Sequence, residues 1–186
     1  TTACNGSDDV MEEVVTDTPS EERIPHYATM KLDGSIIPFD ATRATTATWN
    51  DGDKIYLQFT VGNKLVDGAA IYNATTQEWN VEYYGTLTTG TETKCEAYYF
   101  ENAIEATHTA VTLNEHTVIY TDKAATYLME NNVIKVTANL NPMTGRIHMK
   151  GDASEEYRFS GINHYCTYNI VDNNFASTQT NHVVSV

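Results

Sequence analysis

The chain has 186 residues, 41% of them hydrophobic and 19% charged, enough for one domain with its own core. Its 25 acidic residues outnumber 11 Lys and Arg, giving a formal net charge of −14. Such a field repels nucleic acid and anionic lipid headgroups, and no apolar run approaches the roughly 20 residues of a membrane helix.

Residues 1–25, "TTACNGSDDVMEEVVTDTPSEERIP", are acidic and rich in Thr and Ser, and Pro19 and Pro25 close the run. So little apolar surface cannot offset the entropy of ordering a segment, so this stretch reads as a disordered, flexible linker. From His26 onward short β-like runs alternate with turn residues. "HYATMKLDGSIIPF" contains Asp33-Gly34, a pair that favours a tight turn, and predicts a hairpin there. "KIYLQFTV" alternates Ile55, Leu57 and Phe59 with Tyr56, Gln58 and Thr60, the period of a strand. "GAAIYNATTQEWNVEYYG" reads as a second hairpin that turns over residues 74–77. "KCEAYYFEN", "HTAVTLN", "TVIYT", "NNVIKVTANL", "GRIHMKG", "EYRFSG", "HYCTYNIV" and "NHVVSV" follow as further strands. Their spacing of about 8–14 residues, the abundance of Thr, Tyr and Val, and the lack of a sustained 3.6-residue stripe predict an all-β antiparallel sandwich over residues 26–186. The one helix candidate, "DKAATYLMEN", is short enough to be a turn and a strand.

Three cysteines, Cys4, Cys95 and Cys166, make an odd number. Cys95 and Cys166 lie in strand-like runs, where they either pair and leave Cys4 over or serve as small buried hydrophobes. The six histidines form no i, i+4 pair beside a carboxylate, so no metal site is expected. "NDGD" opens like a calcium loop but lacks the later ligands, and reads instead as a turn into a strand. There is no G-x-S-x-G elbow, no Gly-rich phosphate loop and no cysteine with an evident histidine partner. Neighbouring carboxylates such as Glu155 and Glu156 face opposite sides of a strand and cannot flank one substrate. The chain is therefore expected to be non-catalytic and without a cofactor.

Aromatic residues are the enriched class, with 12 Tyr, 5 Phe and 2 Trp. Trp49 and Trp79 begin or sit within alternating runs and are expected to anchor the core. Tyr83-Tyr84 and Tyr98-Tyr99 are adjacent pairs on strands, so one member of each is expected to face outward. There a ring with a polar tip suits contact with a glycan or a protein.

At "TRATTATWNDGDKIYLQF" the chain resembles the fimbrillin-like domains of Bacteroidetes cell-surface proteins. "AAIYNATTQEWNVEYYGTL", "CEAYYFEN" and "LNPMTGRIHMKG" look like later strands of the same domain, so the resemblance covers residues 26–186. It implies a transthyretin-like, Greek-key β-sandwich in which Trp49 is a buried anchor, Gly52 a turn residue and Asp53 a turn-capping carboxylate. It also implies an outer-membrane lipoprotein. Ala3-Cys4 is similar to the end of a lipobox, and Ser7-Asp8-Asp9 to an acidic export signal for the outer face. By this resemblance Cys4 is the acylated residue and the membrane lipid its partner; residues 1–25 are the tether, and Thr1 and Thr2 would be absent once the lipoprotein is mature.

Three functions are compatible with that resemblance. The first is an accessory or adhesion module at the cell surface that binds a glycan, peptide or protein. The second is a fimbrial subunit assembled by donor-strand exchange after cleavage near Arg43, with Arg23 as a further candidate for the cut. The third is the N-terminal domain of a longer lipoprotein that carries an enzyme. The accessory binding module is the expectation carried forward.

Overall fold

The computed structural model describes residues 23–37, 48–102, 105–106, 110–113, 117–143, 156–160, 166–170, 174–177 and 181–185. Cys4, Arg43, the acidic segment to residue 22 and the run "GRIHMKG" lie outside the described residues. In chain order the strands are β1 (His26–Ile36), β2 (Lys54–Val61), β3 (Lys64–Asn73), β4 (Glu78–Tyr83), β5 (Thr93–Glu101), β6 (Glu105–Ala106) and β7 (Ala110–Leu113). They continue as β8 (Val118–Asp122), β9 (Thr126–Glu130), β10 (Val133–Pro142), β11 (Glu156–Ser160), β12 (Cys166–Asn169), β13 (Asn174–Ser177) and β14 (Asn181–Ser185). The protein is all-β, with no helix among the described residues.

The main sheet runs β1-β4-β3-β2-β5-β8-β10-β9, with further pairings of β1 to β10 and β5 to β9. β8 and β9 together fill the gap between β5 and β10. β5 pairs through residues 97–101 with β8 and through Thr93 and Lys94 with β9. β10 pairs through residues 133–137 with β9 and through Asn141 and Pro142 with β8. Because β1 is bonded to β4 on one side and β10 on the other, the sheet closes on itself. The Asp122 carboxylate fastens the β8–β9 corner, accepting hydrogen bonds from the Ala124 and Asn139 amides at 2.8 and 2.7 Å. Between β9 and β10 stand Asn131 and Asn132, with φ of 50° and 61°, the left-handed pair that a two-residue hairpin turn demands.

The β1–β10 pairing is parallel, whereas the other strand pairs described are antiparallel. It overturns the hairpin expected at Asp33-Gly34. β1 runs unbroken for 11 residues, and Gly34 lies opposite Ala138. A Cβ on Gly34 would stand 1.7 Å from the Ala138 carbonyl oxygen, so the glycine serves a close approach of two backbones. The Ser35 hydroxyl adds a tie across the same seam, donating to the Asn139 side-chain oxygen at 2.8 Å.

Inside the closed sheet Met30, Ile55, Leu57, Phe59, Val81, Ile134, Val136 and Leu140 pack together. β2 is buried on both faces from Ile55 to Phe59, which the alternation alone does not explain. A second layer does. A four-stranded sheet, β13-β12-β7-β6, supplies Val111, Leu113 and Tyr168 to a second cluster with Tyr56, Tyr98, Phe100 and Ile119. The two layers make the fold sandwich-like, with β11 and β14 as a separate antiparallel pair. Each large side chain buried this way contributes about 1.5–3 kcal/mol of apolar burial.

Candidate functional site

The outer side of β1, β4, β3 and β2 carries a groove of about 750 Å³. Its walls follow from register. Tyr27 pairs with Glu82, Glu82 with Ala69 and Ala69 with Tyr56, so these four form one row across four strands. The neighbouring row reads Thr29, Asn80, Ile71 and Lys54. Three inter-strand steps make each row about 14 Å long. Ala69, the smallest side chain of its row, forms the floor between the taller Glu82 and Tyr56.

Exposed large hydrophobic residues concentrate on this side. Tyr27 is 65% exposed, Leu65 56% and Ile71 43%; Ile24, just before β1, is the fourth among the described residues. On β3 the even positions Val66, Gly68 and Ala70 are buried, which turns Leu65, Asp67, Ala69 and Ile71 outward. One end of the groove is held by a clasp. The Arg23 guanidinium lies 4.3 Å from the centre of the Tyr84 ring and forms an ion pair with Asp67. The Tyr84 hydroxyl donates to Glu82, and this hydrogen bond, helped by desolvation, raises the phenol above its ordinary pKa. Glu82 is thereby held in a fixed orientation at the groove.

The aromatic pairs separate differently from one another. Tyr83 is buried in the core and stacks on His26, while Tyr84 is half-buried at the groove. At Tyr98 and Tyr99 the expected outward ring does not exist. Tyr98 points away from the main core but is fully buried beneath the second sheet, beside Phe100 and Tyr168, and its hydroxyl donates to Glu96. Tyr99 is half-buried against Trp49. Burial, with Asp53 and Glu101 nearby, pushes its phenol up to about 12.

Trp49, Gly52, Asp53 and Trp79 form one structural assembly. Trp79 is buried and Trp49, partly buried, meets it edge-on with ring centroids 5.0 Å apart. Gly52 takes φ of 84°, and its amide donates to the Tyr72 carbonyl at 2.9 Å. The Asp53 carboxylate accepts from the Asn50 amide at 2.7 Å and closes the turn. Cys95 is a free thiol at 0% exposure rather than half of a disulfide. Burial, with Asp122 and Glu96 adding to it, pushes its pKa up to about 12, so it stays protonated and unreactive at neutral pH. Among the described residues no group of three or more His, Cys, Asp or Glu could hold a metal ion.

The groove residues Tyr27, Lys54, Ile71, Asn80 and Glu82 were not singled out by sequence reasoning. The one sequence signal was an apolar residue at Leu65 and Ile71 on the polar phase of β3. Comparison of the chain with family models, curated proteins and solved structures finds no match.

Proposed function

We propose that the protein is a non-catalytic binding module of a bacterial surface lipoprotein, similar to fimbrillin-like domains, anchored to the outer membrane through Cys4 and facing the exterior. The observation that carries the binding half is the groove, where Tyr27 and Ile71 stay exposed beside convergent polar groups. The anchoring half rests on the Ala3-Cys4 ending and the acidic tether that follows it. Cells expressing the full precursor and fed a fatty-acid analogue should label the wild type and not Cys4→Ala, while both folded domains melt at the same temperature. Equal labelling of the two proteins would remove the anchor from this reading.

The fimbrial reading has one observation in its favour. β1 ends before Arg43 and lies between β4 and β10, so a cut after Arg43 would sever it from the chain and open both flanking edges to a donor strand. A boiling-sensitive ladder of high molecular weight that disappears in Arg43→Ala would favour the fimbrial subunit over the accessory module. A wild type that stays free of such a ladder would favour the module.

A further inference from the structure

We infer that the groove across β1, β4, β3 and β2 binds a neutral oligosaccharide lying perpendicular to the strands; this rests on the binding reading above and names its ligand class. The first argument concerns what the face can offer. Each of its four strands is bonded on both sides: β1 to β4 and β10, β4 to β1 and β3, β3 to β4 and β2, and β2 to β3 and β5. No strand edge is left here to hydrogen-bond an extended peptide, so a ligand meets side chains alone. Those side chains are of two kinds. Thr29 and Asn80 are short hydrogen-bonding groups, Glu82 is held by Tyr84, Lys54 adds a mobile ammonium donor, and Tyr27 and Ile71 are exposed apolar surfaces. A sugar ring has the matching pair of features, hydroxyls around its rim and C–H groups on its face.

The second argument concerns which ring is available. Tyr56 is buried at 3% exposure, and the Tyr84 ring has the Arg23 guanidinium over it. Tyr27, 65% exposed at the end of the same row, is the ring that a ligand can cover. The third is charge. Lys54 and Glu82 offset one another within the groove, and the chain as a whole carries −14, so the groove offers an anionic ligand no net positive charge. The fourth is size. A trough about 14 Å long matches a short oligosaccharide, and a protein partner would need roughly 800 Å² of contact on its side.

The test is an amide-shift titration of the full chain with a panel of neutral hexasaccharides: α- and β-linked gluco-, manno- and xylo-oligomers, with a hexagalacturonate as the acidic comparison. The expected result is saturable movement of the Ala69, Ile71, Asn80 and Glu82 amides with at least one neutral sugar. Tyr27→Ala and Asn80→Leu should each weaken it about tenfold at an unchanged melting temperature, because both side chains are exposed. Tyr27→Phe, which keeps the ring face, and Leu65→Ala, which lies outside the groove, should bind as the wild type does. The inference is overturned if no neutral member saturates at millimolar concentration, if the galacturonate binds as tightly, or if Tyr27→Ala leaves affinity unchanged. Fatty-acid labelling of Cys4 is independent of all these outcomes, so either half can fail alone.

Discussion

A methyl group on residue 34 would stand 1.7 Å from the Ala138 carbonyl oxygen, and no rotamer relieves a clash with backbone. Gly34→Ala should therefore force β1 away from β10 and lower stability by about 3 kcal/mol or more, read by urea unfolding. An unchanged midpoint would mean that the seam is looser than the register implies. The same residue shows why local sequence misleads. Asp-Gly is a strong turn signal, and nothing within ten residues of Gly34 announces a strand arriving from residue 138. Trp79, by contrast, was legible from its alternating run. Trp79→Ala should cost about 3–5 kcal/mol, and the less buried Trp49 less than that. The buried thiol of Cys95 and the half-buried phenol of Tyr99 also set a pH limit. Their pKa values are raised from 9.0 and 10.0 to about 12, so the unfolded chain loses these protons first. Their stabilising effect is whole below pH 9 and is lost as pH rises towards about 12. Melting temperature should fall across that window, and Cys95→Ala should reduce the drop. An equal fall in Cys95→Ala would remove the thiol from this account.

At the scale of elements, β2 and β5 are single strands serving two cores. Ile55, Leu57 and Phe59 pack within the closed sheet, and Tyr56, Tyr98 and Phe100 meet the second sheet. The alternation of "KIYLQFTV" and the turn over residues 74–77 were readable, and "DKAATYLMEN" resolves into the β8–β9 turn and β9. The fate of Tyr98 was not readable. Its direction follows from the period of the strand, but whether that side meets solvent or a second layer depends on β7 and β12, more than ten residues away in sequence. Removing the hydroxyl that reaches Glu96 takes a donor from a half-buried carboxylate. Tyr98→Phe should therefore cost about 1–3 kcal/mol by thermal unfolding, more than a surface Tyr→Phe change. A cost near zero would mean that water replaces the bond. The groove was invisible for a related reason. Tyr27, Glu82, Ala69 and Tyr56 become neighbours only once three strand registers are known.

On the scale of the whole molecule, the sheet is a closed circuit in which β1 is the connecting strand. Ala28 and Met30 on β1 are buried in the main core, and its backbone bonds to both flanking strands. A chain that begins at residue 44 should be unfolded or aggregated, and a synthetic peptide of residues 24–38 added in trans should restore β-sheet circular dichroism. If the shortened chain folds as a stable monomer without the peptide, β1 is an accessory to the fold rather than its closing strand.

The seam between β1 and β10 joins Ser35 to Asn139, 104 residues apart along the chain. β1 can pair with β4 early, but its other edge has to wait for β10. During synthesis, which delivers the chain from its N-terminus, Ala28 and Met30 can meet β4 but not the β10 side of their core until residue 140 has arrived. Closing so large a loop comes late and slowly, since its entropy is lost before any pairing compensates. Closure of the sheet therefore comes only after β10 has been delivered, however early its other strands pair.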